Sequence, residues 1–182
     1  LEKIVDIAAK MRLGNGLEDG IDMGPSVDES QVLKVLEYID VAKAEGAELL
    51  FGGHRVTDGA LSKGFFVQPT IFDRVRPEMR IHCEEVFGPV LSVIRVESFE
   101  EAMAVANTSE FGLTSSIYTR DMTRVFRYID EIETGITHVN SPTLGGEAQM
   151  PFGGMKSTGI GPREQGNEVF NFYTETKAVY ID

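Results

Sequence analysis

The sequence predicts an α/β fold in which a mostly parallel sheet is flanked by helices and followed by an extended C-terminal tail strand. The chain has 182 residues, of which 42% are hydrophobic, and this is enough for one sizeable core. Between residues 90 and 140, runs rich in β-branched residues alternate with runs of helical periodicity. Strands joined through helices usually pair in parallel with right-handed crossovers.

Two helices are predicted in the first half of the chain. Residues 2–12 are apolar at helical spacing and end at the glycines of residues 14–16. Asp28, with Gln31 three residues later, forms a capping box that marks the start of the second helix. The apolar face of this helix comprises Val32, Val35, Leu36, Ile39 and Ala42.

Five strands are predicted, over residues 49–51, 64–72, 90–96, 113–118 and 136–140. Pro69 interrupts the second strand, so we expect it at an edge or a bulge. Residues 90–96 are apolar on both faces, as in a strand covered on both sides. Ligands would collect at the carboxyl ends of the parallel strands.

Two further helices follow in the second half. Ser98 and Glu101 form a second capping box, and Asp121 can cap the next helix. The inner face of that helix is predicted to be Met122, Val125, Phe126, Ile129 and Ile132. Residues 141–161 are glycine-rich without a regular pattern, and an irregular loop of that length is usually functional. Residues 163–169 are predicted to form a short helix.

We assign residues 1–169 to one domain and residues 170–182 to a tail whose residues alternate as an extended strand does. An unpaired edge strand needs a partner, so the tail is expected to join subunits. The chain begins with Leu1 rather than Met, inside an apolar-periodic run that has no preceding cap. We therefore expect it to be part of a longer protein.

The composition argues against several classes of protein. Lys and Arg number 17 against 29 Asp and Glu, a net charge of -12, and the basic residues are scattered, which argues against nucleic-acid binding. No apolar run is long enough to cross a bilayer, so we expect a cytoplasmic protein without membrane partners. One Cys and three His form no disulfide and no spaced set of metal ligands.

The most informative segment is residues 84–90, which read Glu-Glu-Val-Phe-Gly-Pro-Val and lead directly into a predicted strand. A carboxylate here can accept two hydrogen bonds, which suits the paired hydroxyls of a ribose. An aromatic ring two residues later can pack against a planar ring. Taken alone, adjacent carboxylates on a surface turn are in most cases merely solvated side chains.

A second unusual segment, residues 151–159, reads Pro-Phe-Gly-Gly-Met-Lys-Ser-Thr-Gly. Its three glycines allow the backbone to approach another element closely, although an ordinary glycine-rich turn would have the same composition. Between the two segments, Asn140 ends a predicted strand and is followed by Ser-Pro-Thr-Leu-Gly-Gly-Glu.

Together, in this order, the segments resemble the C-terminal part of an aldehyde dehydrogenase, and the resemblance extends from about Lys3 to Ile181. Thr158 stands where serine is commoner in that family. The resemblance implies an NAD(P)-dependent enzyme that uses NAD or NADP. Glu85 would then bind the nicotinamide ribose and Phe87 would pack beside the nicotinamide, while Glu84 is expected to point outward.

The resemblance also implies a substrate pocket lined by Phe152, Ser141, Pro142 and Thr143, with the glycines of residues 151–159 and Lys156 as architecture. The Thr-x-Gly-Gly-Glu sequence of residues 143–147 is similar to the sequence in branches of the family that oxidise semialdehydes carrying a carboxylate. No Arg lies in this segment to bind such a carboxylate. Partners implied for the intact enzyme are an N-terminal cofactor domain and further subunits in a homodimer or homotetramer.

In the reaction that the resemblance implies, a cysteine attacks the aldehyde to form a thiohemiacetal, hydride passes to the nicotinamide, and water hydrolyses the thioester. The chain contains no residue expected to be catalytic, because the family's nucleophilic Cys and base Glu belong upstream of Leu1. Cys83 lacks the family's Gly-Gln-x-Cys context, and two neighbouring glutamates disfavour a thiolate. We therefore expect these 182 residues alone to be inactive.

Two alternatives remain at this point. One is a reductase of the same superfamily that acts on an acyl phosphate or an acyl-CoA. The other is a truncated, inactive module that only associates with full-length subunits.

Overall fold

The computed structural model describes all 182 residues, which form two compact units, Leu1–Val96 and Glu97–Asp182. Six α-helices are present: α1 (Glu2–Lys10), α2 (Glu29–Ala44), α3 (Arg80–Cys83), α4 (Phe99–Asn107), α5 (Met122–Glu131) and α6 (Glu168–Tyr173). Nine strands are present: β1 (Glu48–Phe51), β2 (Arg55–Val56), β3 (Phe66–Val67), β4 (Thr70–Asp73), β5 (Val90–Ser92), β6 (Phe111–Gly112), β7 (Thr114–Ile117), β8 (Ile136–Val139) and β9 (Met155–Lys156). A short 3-10 helix spans Gly59–Lys63. The predicted α/β class is confirmed.

The predicted helix caps are present, but the capping boxes are not complete. The Asp28 carboxylate accepts a hydrogen bond from the Gln31 N–H at 2.9 Å, and the Ser98 hydroxyl accepts one from the Glu101 N–H at 3.0 Å. Asp121 caps α5 as expected. In neither predicted box does the second side chain bond the cap residue's own N–H: the Glu101 carboxylate accepts from the Glu97 N–H instead.

In the first unit, a three-stranded sheet has the order β1-β4-β5. Strand β4 pairs antiparallel with β1 and parallel with β5, where Thr70 is opposite Val90. Strands β2 and β3 form a separate antiparallel pair. Pro69 lies between β3 and β4, so the predicted interruption of that strand is confirmed.

The core of the first unit lies between α2 and this sheet. Four residues of the predicted apolar face of α2 are fully buried, Val32, Val35, Ile39 and Ala42, and they pack in one cluster with Phe72 of β4. Leu36 is partly buried against the same cluster. The spacing of these residues therefore identified the buried face correctly.

The prediction for residues 90–96 was wrong in extent and in burial. Strand β5 ends at Ser92, and Leu91 is 46% exposed, so the strand is not covered on both faces. Farther along, Arg95 pairs with the buried carboxylate of Asp73, and the hydrogen bond from Arg95 lowers the pKa of Asp73. Arg95 thus lies where a further apolar strand residue was predicted. Its charge compensates the buried carboxylate of Asp73.

In the second unit, β7 and β8 pair in parallel through α5, with Thr114 opposite Ile136. This strand-helix-strand unit matches the sequence prediction. Strands β6 and β9 form an antiparallel pair, in which Gly112 is opposite Met155. Across the two units, two strand pairs are parallel and three are antiparallel.

The predicted inner face of α5 was only partly correct. Met122, Phe126 and Ile129 are 59%, 63% and 48% exposed, whereas the buried residues are Val125, Tyr128 and Ile132. Tyr128 can be buried because its hydroxyl is hydrogen-bonded to Ser115 at 2.5 Å. The polar end of this tyrosine is thus satisfied inside the unit, which a count of apolar residues does not reveal.

The C-terminal helix begins later than predicted. Gln165 and Gly166 have left-handed φ angles of 66° and 53°, which exclude a continuous helix over residues 163–169. Helix α6 instead spans Glu168–Tyr173, across the boundary predicted between domain and tail. Residues 174–182 are exposed and belong to no helix or strand.

Gly135, at the start of β8, tests how tightly the second unit is packed. A Cβ at this position would lie 1.9 Å from the carbonyl oxygen of Gly153, whereas a Cβ at Gly146 would meet nothing closer than 3.8 Å. We expect Gly135→Ala to destabilise the protein by about 2 kcal/mol, because backbone atoms must move apart. Gly146→Ala is the matched control and should change stability little. Equal unfolding midpoints for the two variants in thermal denaturation would contradict this packing.

Candidate functional site

Residues 84–87 alternate in burial, half-buried and exposed in turn. Glu84 and Val86 are half-buried, and Val86 packs against the core of the first unit. Glu85 and Phe87 are exposed, and the exposed fraction of Phe87 is 72%. The Glu85 side chain makes no hydrogen bond or ion pair with the rest of the chain. The two residues predicted to hold the cofactor are therefore both exposed, and the Glu85 carboxylate is free of internal partners.

Helix α2 holds this segment in place along a single stripe formed by Gln31, Val35 and Tyr38. The Gln31 side chain donates hydrogen bonds to the carbonyl oxygens of Val86 at 3.2 Å and Phe87 at 2.9 Å. A Cβ at Gly88 would lie 2.4 Å from a methyl group of Val35, so only glycine fits there without movement. Spacings of four and three residues place all three side chains on one face of α2.

The prediction that Glu84 points outward was wrong. Its carboxylate accepts two hydrogen bonds from Arg80, at 2.7 and 2.9 Å, and a third from the Tyr38 hydroxyl at 2.7 Å. The hydrogen bonds from Arg80 and then Tyr38 lower the pKa of Glu84 to about 2. The same contact with Glu84 raises the pKa of Tyr38. These hydrogen bonds therefore stabilise the folded protein fully above the ordinary pKa of Glu84, and this stabilisation is lost as the pH falls through about 2.

The backbone of Phe87 is in an unusual conformation, with a φ of 55°. Non-glycine residues seldom adopt left-handed φ values, and those that do often lie at functional sites. The two hydrogen bonds from Gln31 to the carbonyl oxygens on either side of the Phe87 amide support this turn. Sequence alone gave no sign of this conformation.

Cys83 is exposed, and its thiol donates a hydrogen bond to the carbonyl oxygen of Pro77 at 3.1 Å. The neighbouring His82 is partly buried, and this burial lowers its pKa. The structure describes no group of three or more His, Cys, Asp or Glu side chains that could hold a metal ion. None of the helices is long and apolar enough to cross a membrane.

In the second unit, Phe152 is fixed by its backbone. Its N–H donates to the carbonyl oxygen of Glu164 at 2.6 Å, and its carbonyl oxygen accepts from the Glu164 N–H at 2.9 Å. The side chain is 39% exposed. The following residue, Gly153, lies against the Arg163 side chain, and Arg163 donates to the Gly154 carbonyl oxygen. This paired backbone leaves the Phe152 ring free to line an adjacent space.

That space is a groove of about 390 Å³ between the edge of β8 and the glycine-rich loop. Its lining comprises Gly135, Ile136, Thr137, His138, Gly145, Gly146, Glu147, Met150, Pro151, Phe152 and Gln165. Most of its exposed lining is apolar, and Phe152 is its aromatic wall. Nothing in the sequence other than the predicted loop after β8 indicated this groove.

Ser141, Pro142 and Thr143 do not line this groove. Ser141 is half-buried, and its carbonyl oxygen accepts a hydrogen bond from the Ser116 hydroxyl at 2.6 Å. Pro142 and Thr143 are exposed. Phe152 therefore lines the groove, whereas these three residues lie at the start of the glycine-rich loop and outside the groove lining.

Asn140 starts this loop at the carboxyl end of β8, as predicted, and has a φ of 55°. Its side-chain amide bonds both the N–H and the carbonyl oxygen of Thr119, at 2.9 and 3.0 Å. Thr119 follows β7, so Asn140 ties together the ends of the two parallel strands. Its role in the structure is to set the direction of the loop.

The sequence reasoning missed Gln31, Tyr38 and Arg80, all of which contact the segment that carries Glu85 and Phe87. One signal was present: Gln31 and Tyr38 share a helical stripe with buried Val35, where apolar residues are the norm. A polar residue on a buried stripe requires a partner. Identifying that partner requires the tertiary structure.

The aldehyde dehydrogenase family model matches residues 1–179 of the chain. Alpha-ketoglutaric semialdehyde dehydrogenase of Bacillus subtilis is 42% identical over 180 residues, 99% of this chain and 37% of that protein. Alpha-ketoglutarate semialdehyde dehydrogenase of Haloferax volcanii is 48% identical over 98% of this chain. Betaine aldehyde dehydrogenase of Cereibacter sphaeroides is 40% identical. The chain spans little more than a third of the length of these relatives.

Solved structures agree with these relatives. Betaine aldehyde dehydrogenase from Staphylococcus aureus in complex with NAD+ is similar with a TM-score of 0.89 and 37% identity, over 94% of this chain and 34% of that one. HpcC from Thermus thermophilus is similar with a TM-score of 0.89 and 36% identity, over 96% of this chain. The fold, the motif segments and these matches agree, and the chain belongs to the aldehyde dehydrogenase family.

Proposed function

We propose that this chain is part of an enzyme that oxidises an aldehyde to a carboxylic acid with NAD or NADP. One observation carries the proposal: Glu85 and Phe87, two residues apart, are both exposed, and the Glu85 carboxylate has no partner within the chain. The neighbouring polar groups of the segment are already bound. Gln31 of α2 binds the carbonyl oxygens of Val86 and Phe87, and the Glu84 carboxylate is bound by Tyr38 of α2 and Arg80 of α3. Side chains held in this way are available for a ligand.

The two side chains fit the nicotinamide end of a dinucleotide. A free carboxylate can accept hydrogen bonds from both hydroxyls of a ribose, and an exposed aromatic ring can pack against a planar ring. When bound, the dinucleotide supplies the two-electron oxidant. The similar Staphylococcus aureus enzyme, which was solved in complex with NAD+, supports this choice of cofactor.

In the second unit, Phe152 and the groove beside it would contact the aldehyde. Ser141, Pro142 and Thr143 lie at the base of the loop that forms one side of the groove, so they would influence its shape and substrate choice. Semialdehydes that carry a carboxylate are the first substrates to test, because relatives with 42% and 48% identity are named for such a substrate. Betaine aldehyde is the natural comparison substrate.

We assign no catalytic residue to this chain. The Cys83 thiol donates to a backbone carbonyl group, and Cys83 lies next to Glu84, which is ionised and paired with Arg80. A nucleophilic cysteine and a glutamate base would come from outside these residues. The 182 residues alone would then lack dehydrogenase activity.

The C-terminal tail would join subunits. Residues 174–182 are exposed, and three of the last four are large and apolar: Val179, Tyr180 and Ile181 are 68%, 92% and 91% exposed. An extended apolar segment that lacks internal partners can add to the sheet edge of another subunit. This supports a homodimer or a homotetramer.

Glu85 provides the direct test of the cofactor assignment. In the full-length enzyme, Glu85→Gln should raise the Kd for the preferred dinucleotide about tenfold, because a neutral amide replaces a charged acceptor of two hydrogen bonds. Glu37→Gln, at an exposed glutamate of α2, is the matched control and should bind like the wild type. Isothermal titration calorimetry measures both, and unchanged binding by Glu85→Gln would refute the assignment.

Phe152 tests the aldehyde side. Phe152→Ala should lower kcat/KM for the aldehyde about tenfold, because it removes an aromatic wall while the backbone pairing with Glu164 remains. The KM for the dinucleotide should stay unchanged. Phe152→Leu keeps apolar bulk and should retain most of the activity. Steady-state kinetics in which the alanine variant keeps full kcat/KM would place the aldehyde elsewhere.

Removal of residues 174–182 tests the tail. The truncated full-length enzyme should elute as a smaller assembly in size-exclusion chromatography with light scattering, since it loses the strand that pairs with the neighbouring subunit. Lys177→Gln leaves the backbone donors and acceptors in place, so its mass should equal that of the wild type. A truncated protein of unchanged assembly mass would exclude the tail as the principal contact.

A further inference from the structure

Two helices of the first unit hold the Glu84 side chain. Its carboxylate is bound by Arg80 from α3 and by Tyr38 from α2. The Arg80 guanidinium also lies over the Tyr38 ring, 5.3 Å from the ring centroid. The three side chains thus touch one another in a closed arrangement rather than in a chain.

Helix α3 is anchored to α2 by a further contact. The Arg80 N–H donates a hydrogen bond to the Glu45 carboxylate at 3.0 Å, and Glu45 is the residue that follows α2 and caps its C-terminus. Arg80 is therefore fixed to α2 through its backbone and its side chain. Because Glu84 directly follows α3, the starting point and the direction of the segment 84–88 are both fixed.

The direction of Glu84 determines the direction of Glu85. Neighbouring residues of an extended segment point to opposite sides, so a Glu84 side chain bound toward α2 turns Glu85 away from it. If Glu84 were released, the start of the segment would lose this restraint, and Glu85 and Phe87 would sample more orientations. The contacts of Gln31, Gly88 and Val86 would then be left to hold the segment against α2 and the core.

We propose that Tyr38, Arg80 and Glu84 are positioning residues that set the affinity for the dinucleotide by orienting Glu85 and Phe87. This inference rests on the proposed cofactor role of Glu85 and Phe87. A segment that is already oriented loses less conformational freedom when the ligand binds, so binding is tighter. None of the three side chains needs to touch the cofactor.

The test uses the full-length enzyme with Tyr38→Phe and Glu84→Gln. The first removes one hydroxyl group, and the second removes the charge but keeps the shape. Each should raise the Kd for NAD or NADP about five- to tenfold, the effect of losing a hydrogen bond to a charged group. The KM for the dinucleotide should rise similarly, whereas the KM for the aldehyde at saturating dinucleotide should not change.

Glu78→Gln is the matched control. It breaks the Arg76–Glu78 ion pair at 2.6 Å, which is of the same type and also exposed, but lies outside the segment 84–88. It should leave the Kd within about twofold of the wild type. Hydrogen exchange of peptides covering residues 84–90 provides a readout without cofactor: exchange should be faster in Tyr38→Phe and Glu84→Gln only.

The outcomes separate this inference from the proposed function. If Glu85→Gln weakens binding while Tyr38→Phe and Glu84→Gln bind as tightly as the wild type, the positioning role is refuted and the cofactor role stands. If the wild-type enzyme binds neither NAD nor NADP, both are refuted. Should Glu84→Gln fail to fold, Tyr38→Phe decides the result, since losing one half-buried hydroxyl group leaves the core intact.

Discussion

The contact between helix α2 and residues 84–88 is the constraint on which the first unit's candidate site depends. On one side of α2, Val32, Val35, Ile39 and Ala42 build the core. On the adjoining stripe, Gln31 donates hydrogen bonds to two carbonyl oxygens of residues 84–88, and Tyr38 donates one to the Glu84 carboxylate. Val35 serves both purposes, because Gly88 packs on it. The core and the segment that carries Glu85 and Phe87 therefore share one residue of α2.

The second unit solves a similar problem with backbone rather than side chains. Phe152 is held by two hydrogen bonds to Glu164, and Gly135 allows the Gly153 carbonyl group to approach β8 closely. Lys156 donates to the carbonyl oxygens of Asn107 and Ser109 and pairs with Glu133. Glycines permit the approach, and one lysine satisfies three acceptors. The predicted architectural role of this segment is thus visible in its contacts, whereas the ring of Phe152 is left to line the groove.

Patterns in the sequence predicted the elements that depend on local spacing. The apolar spacing of α2, the cap residues Asp28, Ser98 and Asp121, and the break at Pro69 all agree with the structure. Predictions failed where a tertiary partner decided the outcome. Glu84 is bound by Arg80 and Tyr38 rather than left free, and Tyr128 of α5 is buried with its hydroxyl group hydrogen-bonded to Ser115. The C-terminal helix failed for a different reason, because the left-handed φ angles of Gln165 and Gly166 interrupt it.

The same distinction explains why a motif identifies the candidate ligand-facing residues but not what supports them. Glu85 and Phe87 could be named as candidates from a short string because that string resembles a segment of the aldehyde dehydrogenase family. The residues that orient them are constrained only by one another, so different sets of side chains could do the same work. Tyr38 lies 46 residues before Glu84, and no spacing rule connects them. Such supporting residues become visible only when the fold places a helix beside a loop, as α2 lies beside residues 84–88.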